Sequence, residues 1–374
     1  MSDTQKHTKP NVPNLRFPGL KGEWKQYTMG EITELFSRRN KNRTDYPMFS
    51  VTNARGFVNQ QEQFEDREMK GEDISAYKIV SPGEFAYNPA RINVGSIARY
   101  DGETDCMISS LYVCFKAKTE LVDSQLLLHI LKSPKMVYNY GINGEGGVRI
   151  YLFYPNFSRI RVKLPSLEEQ RKIASFLDLI EERIQIQNKV IEKYESLIKA
   201  LALEIIGKNE PNITLSECVR CTSSTLKESD LEEAGTVPAY GAAGISGFTD
   251  SALSDGDSIL ITKDGSGVGS LRYVSGSHSF VGTLNSITAQ EGIYLPYIYY
   301  ALQNVSFESY RTGQAIPHIY FKDYGKEAIY CPSFDDQKRL AKGLEMIDAK
   351  IDVERATLKS LQSVKAHLLS VLFI

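Results

Sequence analysis

Apolar positions along this chain follow two regimes. In Leu164 to Ile206, and again in Cys331 to Phe373, they recur at alternating steps of four and three. From Ile173 the walk passes Leu177, Ile180, Ile184, Gln187 and Ile191; from Leu340 it passes Leu344, Ile347, Ile351, Glu354 and Leu358. That spacing predicts two long helices, each with one coiled-coil seam. A polar residue interrupts each seam at the same place, Gln187 and Glu354. Ser166 and Ser333 follow Pro165 and Pro332, with Glu169 and Asp336 three residues on, which predicts capped helix starts. Each helix should run about 38 to 40 residues, near 60 Å. A stripe that long needs a partner. Dimerisation of two chains would supply one, but the second copy within this chain supplies it already, as an antiparallel intramolecular coiled coil.

Elsewhere the pattern changes to short β-branched and aromatic runs between Gly, Asn and Asp turns. It predicts mostly β domains with a few helices, such as Ser124 to Lys132 and Leu295 to Asn304. The long helices are copies at a constant offset of 167, Pro165 against Pro332. The β segments repeat more loosely: Tyr46-Pro47-Met48-Phe49 resembles Val237-Pro238-Ala239-Tyr240, and Val94-Gly95-Ser96-Ile97 resembles Val268-Gly269-Ser270-Leu271. Gly146 to Leu152 sits before the first helix where Gly313 to Ile319 sits before the second. The expected fold is α+β: two similar globular domains separated by two long antiparallel helices, with pseudo-twofold symmetry. The expected divisions are a tail 1–20, a domain 21–164, a helix 165–207, a domain 208–331 and a helix 332–374. A chain of 374 residues also exceeds what one core usually serves.

Composition narrows the chemistry. The net charge of −2 conceals an uneven distribution, with acids on the repeated helices (Glu168, Glu169, Asp178) and Arg91, Arg99, Arg149, Arg159, Arg161 and Lys163 before the first of them. No apolar run suits a signal peptide or membrane span, so the expected location is the cytoplasm, with no membrane partner. Five cysteines imply free thiols, and Cys218-Val-Arg-Cys221 lacks the second pair that a zinc site needs. No metal is therefore expected. Tyr87-Asn88-Pro89-Ala90 only partly matches an adenine methyltransferase signature, and Gly265 to Ser270 lacks the lysine of a phosphate loop. The glycines there suit close backbone approach, for instance to a DNA phosphate.

The duplicated Pro-Ser-x-x-x-Gln helix, with the Val237 to Phe248 and Ile259 to Gly269 blocks, resembles the specificity subunits of type I restriction–modification enzymes. The resemblance implies two target-recognition domains, each binding half of a bipartite double-stranded DNA site, with the helices as spacer. It implies a non-catalytic chain that holds no cofactor. Two methyltransferase subunits would bring S-adenosylmethionine, and motor-nuclease subunits would join them. A type IIB-like system, a stand-alone enzyme and a scaffold without DNA affinity are the alternatives. Arg and Lys suit guanine, Asn and Gln suit adenine, and small polar groups hold phosphates. The candidate contacts are Asn53, Arg55, Asn88, Arg91, Asn93 and Arg149 in the first half, and Lys263, Ser266, Asn285, Arg311, Gln314 and His318 in the second.

Overall fold

The computed structural model describes residues 12–13, 15–60, 73–147, 150–313 and 316–373. It forms two compact units, one of Met1–Ile186 with Lys359–Ile374, the other of Gln187–Leu358. Each unit therefore holds the start of one long helix and the end of the other.

In the first unit, the strands Thr33–Phe36, Val113–Ala117, Phe85–Tyr87 and Ile97–Arg99 lie side by side in that order, all antiparallel. Successive side chains point to opposite faces of a sheet, and here both faces are covered. Phe85, Tyr87, Ile97 and Phe115 enter the core under the helix Ser124–Leu131. Ala86, Ala98 and Cys114 enter a second core. That core also takes residues from the other sheet, ordered Gly56–Asn59, Met48–Thr52, Cys106–Ile108 and Lys78–Val80. Two buried faces explain why these strands are apolar runs rather than alternating ones.

The second unit repeats the plan. Its four-stranded sheet runs Val219–Ser223, Leu284–Ala289, Ser258–Thr262, Leu271–Val274, and its second sheet runs Gly244–Thr249, Val237–Gly241, Ser279–Phe280. Ile259 and Ile261 point into one core and Leu260 into the other. Met48–Thr52 pairs parallel with Cys106–Ile108, as Val237–Gly241 does with Ser279–Phe280. The repeated threonines Thr28 and Thr214 cap short helices in reciprocal boxes with Glu31 and Glu217.

The first long helix is Leu167–Ala202 and the second Phe334–Leu372. In the first unit Ile173, Ala174 and Leu177 share a core with Leu368, Leu369 and Leu372. In the second unit Ile191, Ile198 and Ala202 share one with Ala341, Leu344 and Ile351. Start meets end in both, so the pairing is antiparallel. Every described seam position is buried or half-buried. The polar interruptions meet each other: Gln187 Nε2 donates to the Glu354 carbonyl at 3.2 Å and to its carboxylate, which Lys350 also contacts at 2.6 Å.

The first helix reaches about its expected length by continuing from Ala202 through a π-turn, Leu203–Gly207, where the Asn304 amide donates to the Ala202 carbonyl at 3.1 Å. One local expectation changes. The first cap is half a box. The Glu169 backbone donates to Ser166 Oγ at 3.4 Å, but its carboxylate is held by Arg16 at 2.6 and 2.8 Å.

The repeated glutamines join helix to domain. Gln170 accepts from the Asp123 backbone at 2.8 Å and donates to the Leu121 and Pro165 carbonyls, both at 3.0 Å. Gln337 accepts from the Tyr294 backbone at 2.8 Å and donates to Pro332 at 2.9 Å and Gly292 at 3.4 Å. Asp123 and Tyr294 are the cap residues of the first helix packed beneath each four-stranded sheet. The Pro-Ser-x-x-x-Gln motif is thus a clasp whose two ends bond to each other and to the domain.

Candidate nucleic-acid interface

Each unit builds one loop platform from two segments. In the first, the loop 88–96 joins two strands of the four-stranded sheet. The Asn88 backbone donates to the Ser96 carbonyl at 3.0 Å, and its side-chain oxygen accepts from the Ala90 backbone at 3.0 Å, an Asx turn. In the second unit the matching loop 262–270 is closed by Thr262 donating to the Ser270 carbonyl at 3.0 Å. Both loops turn on a left-handed glycine, Gly95 at φ +95° and Gly269 at φ +85°. At Gly269 a Cβ would also come within 2.6 Å of Phe307, so only glycine fits.

The other segment is an excursion before each long helix, closed at its base by a backbone bridge. Glu145 and Tyr151 exchange two backbone hydrogen bonds of 2.8 Å, and Thr312 and His318 exchange bonds of 2.9 and 2.8 Å. The next residue ties the excursion to the loop: Leu152 donates to the Pro89 carbonyl and Ile319 to that of Lys263, each at 3.0 Å. The loose sequence repeat here is a repeated piece of construction.

These platforms gather most of the described candidates. Arg91 is exposed and makes no ion pair among the described residues; Asn88 and Asn93 are half-buried beside it in the loop. Asn53 is exposed against Gly95, and Arg55 stands exposed on the same turn. In the second unit Ser266 is exposed and Lys263 half-buried on the loop. His318 Nδ1 contacts the Asp264 carboxylate, and Arg311 lies one residue before the Thr312 bridge, paired with Glu308 at 3.0 Å. Arg149 and Gln314 lie outside the described residues.

Asn285 requires a correction. It is 3% exposed, accepts from Ser223 Oγ at 2.8 Å and donates to Tyr324 Oη at 3.2 Å. Its amide is spent inside the domain, so it holds the sheet rather than facing a ligand. Tyr151, Phe153 and Tyr320, which are not among the candidates, are exposed rings on the same segments. Alternation of rings about a buried aliphatic residue was the available clue. Among the described residues no group of three or more His, Cys, Asp or Glu is placed to hold a metal. Burial pushes the Cys221 thiol up to about 11.

The family described as "Type I restriction modification DNA specificity domain" matches residues 21–196 and, a second time, 215–363. The chain belongs to this family. Among relatives of this specificity family, a Mycoplasma genitalium protein named as a type I specificity subunit is 28% identical over 231 residues, 55% of this chain and 59% of its own. The HindI type I restriction enzyme specificity subunit of Haemophilus influenzae is 21% identical over 183 residues, 48% of this chain and 40% of its own. The chain thus spans about half the length of the curated relatives it matches. In fold it is similar to the crystal structure of a type I restriction–modification S subunit from M. genitalium. That likeness has a TM-score of 0.61 and 19% identity, over 97% of this chain and 99% of the other. Among the described residues no helix is long and apolar enough to cross a membrane.

Proposed function

We propose that this specificity-family chain reads a bipartite double-stranded DNA target, one half-site per platform, and carries out no chemistry itself. The observation that carries the reading is that the same loop-and-excursion platform is built twice, each time beside a copy of the same helix. Two equivalent readers suit a split target. Arg91 and its neighbours offer phosphate and base-edge contacts of the kinds that position and specify. Methyl transfer to adenine, with S-adenosylmethionine, falls to two methyltransferase subunits, and motor-nuclease subunits complete the restriction enzyme.

The helices carry a second apolar pattern that supports docking of two like subunits. In the first unit Leu179, Ile186 and Val364 are 64%, 47% and 51% exposed; in the second unit Met346, Val353 and Leu197 are 68%, 58% and 43% exposed. Each of the first three matches one of the second three at the repeat offset. Exposed apolar residues on a helix suit an interaction surface, and their repetition at equivalent positions suits two copies of one partner. Replacing Leu179 and Ile186 by glutamate should weaken methyltransferase-subunit binding by about tenfold or more, since two apolar side chains leave the interface. Sedimentation of the mixed subunits checks this; unchanged stoichiometry and affinity would remove the cluster from the docking surface.

The function is tested by mapping methylated adenines in DNA from cells that express the chain with its methyltransferase subunit. Motifs in two parts are expected, and unsplit motifs would sink the reading. Arg91→Ala should weaken cognate binding by about 1 to 3 kcal/mol, well beyond the ~0.5 kcal/mol of a neutral surface change. If Arg91 holds a phosphate, the salt slope also falls by about one unit. Unchanged binding would exclude Arg91.

A further inference from the structure

The platforms share a feature that hydrogen-bonding readout leaves unused. Tyr151-Leu152-Phe153 and His318-Ile319-Tyr320 occupy equivalent places at the repeat offset. In each the central residue is fully buried, at 0% exposure, and its backbone donates to the recognition loop. The flanking residues emerge together, as alternate residues of an extended segment do. Tyr151 and Phe153 are 38% and 51% exposed, and their rings are stacked with centroids 6.2 Å apart and planes 14° apart. In the second unit the His318 and Tyr320 rings lie 4.0 Å apart, with Tyr320 46% exposed.

Two exposed, stacked rings on a segment pinned to a loop bearing Arg91 and Asn93 are costly to leave facing water. A phenyl ring has no donor or acceptor, so the base-edge feature it can distinguish in the major groove is the thymine C5-methyl group. Methylation of an adenine within a half-site, part of the function proposed above, places an A·T pair there, and hence at least one thymine methyl. We propose that the Tyr151–Phe153 ring pair packs against a thymine methyl in the half-site read by the first unit, and so fixes that base. The His318–Tyr320 pair occupies the same place in the second unit, with one ring made polar and held by Asp264. The proposal rests on the DNA-reading function.

The test uses the complex of the full chain with its methyltransferase subunits, on duplexes carrying the methylation-mapped site. Each thymine of the half-sites is replaced in turn by deoxyuridine, which differs only by the missing methyl. With the unsubstituted protein, one deoxyuridine in one half-site should weaken binding by about 3- to 5-fold, the worth of roughly one buried methyl group. With Phe153→Ala, or with Tyr151→Ala, that penalty should vanish while penalties in the other half-site persist. Binding should weaken without a change in salt slope, because no counterion is released by an apolar contact. Both residues are surface-exposed, and an unchanged unfolding midpoint certifies each variant. A deoxyuridine penalty that survives both substitutions overturns the proposal, as does equal weakening on thymine and deoxyuridine duplexes, the result expected of a wedge between base steps. If the unsubstituted complex shows no preference for a split site, the DNA-reading function fails and the ring-pair assignment falls with it.

Discussion

Replacing Arg16 by alanine is expected to cost about 3 to 5 kcal/mol of stability, the loss seen when one partner of a buried ion pair is removed. Glu169 is 1% exposed, and its two carboxylate oxygens accept from Nε and Nη2 of the Arg16 guanidinium. Without that cation a carboxylate remains desolvated at the first turn of a long helix. The helix macrodipole and Ser166 offset only part of the loss. Arg16 also donates to the Gly22 and Lys21 carbonyls at 2.8 and 2.9 Å, and Phe17 meets Phe176 edge-on at 5.8 Å. The segment is therefore a strap on the helix. Urea unfolding of Arg16→Ala, Glu169→Gln and the double variant forms the cycle. The double variant should be more stable than Arg16→Ala alone, because the unpaired charge is gone. A single Arg16→Ala variant within ~0.5 kcal/mol of the parent would show that the pair is solvated and contributes little.

That strap also shows where sequence reading runs out. Arg16 and Phe17 fall within the expected tail 1–20, and a single arginine set against an acid leaves no periodic pattern to read. The helices were legible for the opposite reason. A seam repeated over ten turns leaves many coincidences to count, down to the two polar positions, which were expected as equivalent and are found bonded to each other. The strands were legible as a class but not in register. With both sheet faces covered, Phe85-Ala86-Tyr87 and Ile259-Leu260-Ile261 read as apolar runs without alternation. The site was legible as regions. Turn-forming Asn and Gly residues mark the loops, because Asx turns and left-handed positions demand them. Whether a given amide faces outward depends on long-range packing: Asn88 and Asn285 look alike in sequence, yet Asn285 is closed off by Ser223 and Tyr324, residues 62 and 39 positions away.

Gln337→Ala is the second large effect, expected at about 3 kcal/mol, since a buried donor or acceptor left without its partner costs about 1 to 3 kcal/mol. Gln337 is 1% exposed, and its side chain satisfies the Tyr294 backbone N–H at the start of one helix and the Pro332 carbonyl at the start of another. Alanine leaves both without that partner and opens a cavity besides. Gln337→Met separates the two contributions: it fills the space, restores no hydrogen bond, and should recover only the packing part. The loss reaches function on the DNA-reading proposal, because the clasp sets how the second domain is held on its own helix start. Methylated motifs from cells expressing Gln337→Ala should keep one half-site sharp and become degenerate in the other, whereas Gln170→Ala should do the reverse. A variant that unfolds at the parent's midpoint would reduce the clasp to a surface contact. Equal blurring of both half-sites would mean that the two glutamines govern general stability rather than the reading of one half each.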